Sequence, residues 1–233
     1  MVDLTSEMAQ LWASLGSPAV GRARVIQFVS ATDGEGASTV AREFARYGAG
    51  RSQRAVWLVD LDLMGPGQAR DIAAEPQRFG ALGKPAAATP DGSVFFTVQP
   101  PLRDAKGRPA PDARYLCAQP ALGGRLWVSR FRRDLLQNGQ HAHLLPTGDY
   151  WAALRRHAEL VVIDAPSAER SSACLAVAPF VDFSILVVAA DQPDTSAPAA
   201  LRDAITQAGG RIAGIVFNQA QIAPPPFLKA GRS

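Results

Sequence analysis

Five short, nearly unbroken apolar runs constrain the architecture of this 233-residue chain: residues 25–29, 55–59, 160–163, 183–189 and 212–217. A strand with one face in water alternates apolar and polar residues, whereas an unbroken run is buried on both faces. A further run at 125–129 (RLWVS) also reads as a strand. Helical spacing separates the runs. In residues 4–15, Leu4, Met8, Leu11, Trp12 and Leu15 share one face, and residues 40–47, 150–157, 171–178 and 195–208 read as further helices. Buried strands alternating with helices predict an α/β fold, a mostly parallel β-sheet with helices on both faces and right-handed crossovers. Such sheets bind ligands at the carboxyl ends of their strands.

The expected organisation is an N-terminal helix within 1–20, one domain over 21–220 and a flexible tail over 221–233. Three consecutive prolines in the tail bar a helix there. Residues 66–124 are rich in Pro, Ala and Gly and read as an irregular, partly mobile insertion with a short strand at 93–98.

Hydrophobic residues make up 47% of the chain and charged residues 19%, a balance that supports a packed core. The net charge is +3 and no block of five or six basic residues occurs, which argues against a nucleic-acid partner. Cys117 and Cys174 lack CxxC spacing, so they are expected to be reduced thiols of a cytoplasmic protein. The N-terminus has no basic start of a secretion signal, and the strongest apolar run, 185–190, is too short to span a bilayer. Any membrane association is therefore expected to come through a partner.

Four strand ends carry candidate chemistry. The first is SATDGEGAST, residues 30–39, between a strand and a helix. Gly34 and Gly36 allow backbone N–H groups to turn around an anion, and the helix N-terminus adds positive potential. Asp33, Gly34, Glu35, Gly36, Ala37, Ser38 and Thr39 are thus candidate nucleotide-binding residues, with Ser38 placed to ligate Mg²⁺. A phosphate loop carries lysine just before that hydroxyl, and here the position is Ala37. The plainer alternative is a glycine turn that opens a helix.

The second is VWLVDLDLMGP, residues 56–66, where Asp60 and Asp62 point the same way on an extended chain. They are candidates for proton acceptance and, at Asp60, Mg²⁺ coordination; Asp62 reads equally as a turn cap. The third is ELVVIDAPS, residues 159–167, whose Asp164 ends a strand as a metal-binding aspartate does. The fourth is Asn218, a candidate for reading a base edge or for forming a turn.

Together, over about residues 24–219, these segments resemble the bacterial tyrosine kinases, the cytoplasmic domains of polysaccharide co-polymerases. These belong to the wider MinD/ParA-like group of P-loop ATPases. SATDGEGAST resembles that family's PGEGKST loop, VWLVDLDLMGP its DxDxR motif, and ELVVIDAPS its DxVIIDTPP segment. The resemblance implies ATP or ADP with Mg²⁺ as ligands, a role in exopolysaccharide or capsule export, and a membrane co-polymerase partner.

The departures qualify that implication. Ala37 replaces the loop lysine, Thr32 stands where ParA-like proteins carry a signature lysine, and Met64 stands for the arginine of DxDxR. Glu7, Gln10 and Ala13 occupy the ExxRxxR pattern of ring assembly, leaving a homo-oligomer open. No tyrosine follows Tyr150, so the family's C-terminal target cluster is missing. Arg42, one turn into the helix, starts about 6 Å beyond Ser38. Arg22 and Arg24 lie about 20 Å away, across the length of a strand. Neither these nor Lys84, Arg103 and Lys106 of the insertion are marked by spacing as replacements. A lost charge-assisted hydrogen bond of about 1.5–3 kcal/mol weakens binding roughly ten- to a hundred-fold. It slows transfer more, because lysine stabilises transition-state charge. The expectation is a degenerate kinase-like scaffold or regulator with weak nucleotide binding. The alternatives are an active autokinase or ATPase, and a MinD/ParA-like positioning ATPase.

Overall fold

The computed structural model describes residues 3–16, 21–103, 105–191 and 195–220. The expected tail, 221–233, lies outside the described residues. In chain order the elements are α1 (Thr5–Leu15), β1 (Arg24–Ser30), α2 (Ala37–Ala49), β2 (Val56–Asp60), α3 (Gln68–Ala73), α4 (Pro76–Phe79), β3 (Ala86–Ala87) and β4 (Phe96–Gln99). There follow β5 (Leu116–Ala121), β6 (Leu126–Phe131), β7 (His141–Leu144), α5 (Asp149–His157), β8 (Leu160–Asp164), α6 (Ala173–Val177), β9 (Phe183–Ala189), α7 (Ser196–Gln207) and β10 (Ile212–Asn218). Short 3₁₀ turns link several of them.

Eight strands form one sheet in the order β10-β9-β1-β8-β2-β6-β5-β3. From β10 to β6 every pairing is parallel, and β5 and β3 add antiparallel pairings. The apolar runs explain the centre: β2 and β8 are buried along their whole length. Their side chains alternate between two cores. Val25, Val29, Trp57, Val59, Val161 and Ile163 pack on one face with α5 and α6, while Ile26, Phe28, Leu58 and Val162 pack on the other with Val40 and Phe44 of α2.

Residues 66–124 are more regular than their composition predicts. They form α3, α4 and β5, and β5 joins the main sheet through a six-residue pairing with β6. The expectation of an irregular insertion is corrected here. Small residues and Pro120 hide the strand pattern of LCAQPA. Pro120 is tolerated because the β3 ladder stops at Cys117 and Ala118, and beyond it the Gly83 N–H donates to the Pro120 carbonyl at 2.8 Å, a contact that needs no N–H from the proline. The strand expected at 93–98 is β4, which pairs antiparallel with β7 as a ribbon. Phe95 seats that ribbon, with ring centroids 4.9 Å from Tyr150 and 5.2 Å from Trp151 of α5.

Candidate functional site

The parallel order brings the carboxyl ends of β1, β8 and β2 side by side, with Phe28 and Asp60 both paired to Asp164. The loop 31–36 leaves β1 and enters α2. Gly36 adopts φ 86°, ψ 20° as the residue before the helix, and Gly34 is also left-handed. A Cβ on Gly36 would collide with the Asn218 amide nitrogen, so glycine is required there. The Glu35 carboxylate is buried and braces the loop from inside, accepting the Thr32 N–H at 2.9 Å and the Ala189 N–H at 3.3 Å. With its carbonyls and side chains fixed this way, the loop presents its N–H groups: those of Gly34, Glu35, Gly36, Ala37 and Ser38 donate to no protein acceptor among the described residues. Such a nest at the start of a 13-residue helix suits a phosphate chain.

The lysine position is Ala37, a 6% exposed methyl with no charge to offer. Arg42 does not replace it. Its guanidinium is turned to Gln68 at 3.1 Å and Asp71 at 3.0 Å, tying α2 to α3. Arg24 donates to the carbonyls of Leu15 and Gly16 below the sheet, and Arg103 donates to Gly107.

Ser38 donates its hydroxyl proton to Asp164 at 3.0 Å, so two of the three sequence-predicted Mg²⁺ ligands meet. Asp60 accepts the N–H groups of Asp62 and Gln68 on its two oxygens, both at 2.8 Å, and so shapes the turn after β2. Burial pushes both Asp164 and Asp60 well above the usual carboxylate range, and for Asp60 the adjacent Asp164 pushes further. Among the described residues no three His, Cys, Asp or Glu side chains are grouped to hold a metal. Mg²⁺ on a nucleotide needs only one or two protein oxygens beside phosphates and water, and the Ser38–Asp164 pair fits that demand. Asp62 does not share the inner pair; its carboxylate meets Arg170 at 2.8 Å.

Asn218 lies at the end of β10, where its amide donates to the Glu35 carbonyl at 2.9 Å. It is bonded to the phosphate-type loop itself. Its neighbour Gln219 donates to the Gly34 carbonyl at 2.8 Å. Sequence reasoning missed Gln219, Gln68 and Arg170. Gln68 donates to both Asp164 and the Ser38 carbonyl, so it lies against the inner pair. A position next to a strand-end Asn was a signal for Gln219. Nothing local marked Gln68, which sits at the start of a helix hidden in a Pro- and Gly-rich stretch. Two cavities flank the site. One of about 580 Å³ is lined by Asp60, Asp62, Gly65 and Arg70, and one of about 510 Å³ by Asp62, Met64, Leu144 and Arg170.

Comparison with known proteins rests on structure, since no family model and no curated protein sequence matches the chain. The kinase domain of VpsO superposes with a TM-score of 0.57 at 22% identity, covering 94% of this chain and 100% of that one. The chain has the fold of a bacterial tyrosine-kinase domain. The kinase domain of Escherichia coli tyrosine kinase ETK gives 0.56 at 16% identity over 95% of this chain and 74% of its own. The BceF tyrosine kinase domain gives 0.53 at 19% over 92% and 74%. Tyr115 and Tyr150 are fully buried, and Tyr47 is half-buried against Trp12 and Arg51. Burial pushes the Tyr150 phenol far up, away from ionisation. No described helix is long and apolar enough to cross a membrane.

Proposed function

We propose that the chain is a kinase-like nucleotide sensor that has separated holding a nucleotide from transferring its phosphate. It acts as a scaffold or regulator of a membrane co-polymerase in exopolysaccharide or capsule export. The observation that carries the reading is the anion-cradling loop with its N–H donors presented and a buried methyl, Ala37, at the lysine position. Backbone donors bind phosphate in the ground state, whereas the missing ammonium would have followed the charge into the transition state. Ser38 and Asp164 would hold Mg²⁺, which when bound neutralises the phosphates. Gly34 to Ser38 would orient the phosphate chain, and Asn218 and Gln219 would keep the loop in shape. The placement of the three tyrosines supports loss of self-phosphorylation, since none is exposed. The likeness of fold to tyrosine-kinase domains supports the export setting, and attachment to the membrane would run through the partner.

Isothermal titration of the purified chain with Mg-ATP is the test, beside a γ-phosphate transfer assay. The expected outcome is weak saturable binding with no transfer. Restoring the cation in Ala37→Lys tightens Mg-ATP binding about tenfold. Transfer by the parent chain that disappears in Asp62→Ala would establish an active kinase or ATPase instead. No heat at millimolar nucleotide would leave a structural role only.

A further inference from the structure

The segment that follows β8 does not run free over the site. Ser167 donates its hydroxyl proton to Asp33 Oδ1 at 2.9 Å, and Glu169 Oε2 accepts the Asp33 N–H at 3.1 Å. Arg170 then places its guanidinium between Asp33 Oδ1 at 3.6 Å and Asp62 Oδ2 at 2.8 Å. Asp33 opens the phosphate-type loop after β1, and Asp62 lies two residues past the end of β2. The β8 end lies between them, because β1 and β2 pair on either side of it. The guanidinium therefore spans the mouth above Asp164, the place where phosphates held by the loop and by a Ser38-bound cation would end.

From this geometry we infer that Arg170 supplies a positive charge for holding the terminal phosphate, without restoring the transfer role lost with the lysine at Ala37, and that Asp33 and Asp62 hold it in place as stand-ins for phosphate. The inference rests on the nucleotide reading above. Three physical facts support it. The Arg170 side chain is 48% exposed and Asp33 is 59% exposed, so their mutual attraction is screened and weak. A phosphate chain carries more charge than either carboxylate and offers the planar fork two parallel acceptors. The cavity beside Asp62, Leu144 and Ala173 also borders Arg170, so its side chain has room to swing. Each acid that now holds the arginine also repels an incoming anion. Nucleotide binding is thereby coupled to release of the Arg170 guanidinium from Asp33 and Asp62, while backbone bonds from Ala168 and Glu169 to the Ser30 and Ala31 carbonyls keep the segment itself in place.

The proposal makes Arg170 a binding residue for a terminal phosphate, and a double-mutant cycle tests it. Mg-ATP and Mg-ADP affinities are titrated for the parent, Arg170→Ala, Asp33→Asn and the pair. The Asp33→Asn change keeps a side-chain oxygen for Ser167 while dropping the charge. Arg170→Ala is expected to lose about tenfold in Mg-ATP affinity and much less in Mg-ADP affinity. Asp33→Asn is expected to gain several-fold for Mg-ATP, with most of the gain missing in the Arg170→Ala background. Arg170→Lys retains part of the affinity. An Asp33→Asn gain of full size without Arg170 would mean simple charge repulsion and overturn the inference. So would parent-like binding by Arg170→Ala, while the nucleotide reading stood. A parent chain that binds neither nucleotide overturns both.

Discussion

Asp164 is enclosed at the end of β8, against Ser38, Gln68 and the neighbouring Asp60. Burial raises its folded-state pKa above the value of about 4 expected for an unfolded carboxylate. Between those two values the unfolded chain has released a proton that the folded chain keeps. Rising pH therefore favours unfolding, and the linked stability is lost as pH climbs from about 4 toward neutrality. Asp164→Asn removes that penalty and keeps both contacts, since its amide oxygen accepts from Gln68 and its N–H donates to the Ser38 hydroxyl, which turns from donor to acceptor. The variant is expected to melt about 2–4 °C above the parent at pH 7.5 and to approach it at pH 4.5. A variant less stable than the parent at pH 7.5 would show that the carboxylate is held ionised. Of the residues involved, the sequence marked Ser38, Asp60 and Asp164 by motif. It did not mark Gln68, because a glutamine acquires meaning only from the carboxylates it is folded against.

At the scale of elements, the β4–β7 ribbon is anchored by Phe95 on α5 and by Phe96, whose ring meets Phe131 of β6 at 5.2 Å. Phe95 is fully buried and touches Phe96, Tyr150 and Trp151, joining the ribbon to α5. Phe95→Ala is expected to cost about 3–5 kcal/mol, read as a shifted urea midpoint, because the surrounding rings cannot close the cavity. Amide exchange should quicken first in β4 and β7. A cost under about 1 kcal/mol would mean that the ribbon is anchored elsewhere. Another polar link joins α2 to α4: buried Glu43 accepts from Arg46 at 2.9 Å and from Arg78 at 2.6 Å. The sequence of the Pro/Ala-rich stretch marked β4, but neither its pairing with β7 nor the Glu43–Arg78 link. Its strands are short, and an alternating pattern needs several residues to stand out from composition.

Across the whole molecule, the sheet ends on β10, whose Ile215 and Phe217 are 50% and 67% exposed. An apolar edge strand without a charged side chain is a template for another strand. Ile215→Lys is expected to leave the melting temperature nearly unchanged and to reduce light scattering at high protein concentration. Unchanged scattering would show that this edge does not drive association. The amino-acid sequence by itself determined the parallel sheet, the glycine loop and the absence of its lysine. Each is written in contiguous residues, as an unbroken apolar run or a fixed spacing. Only the tertiary structure decided that β1, β8 and β2 lie together, and that Arg170 meets a carboxylate 108 residues away in the chain. Strand order comes from how whole faces bury one another, and no local pattern encodes which distant charge a surface arginine will find.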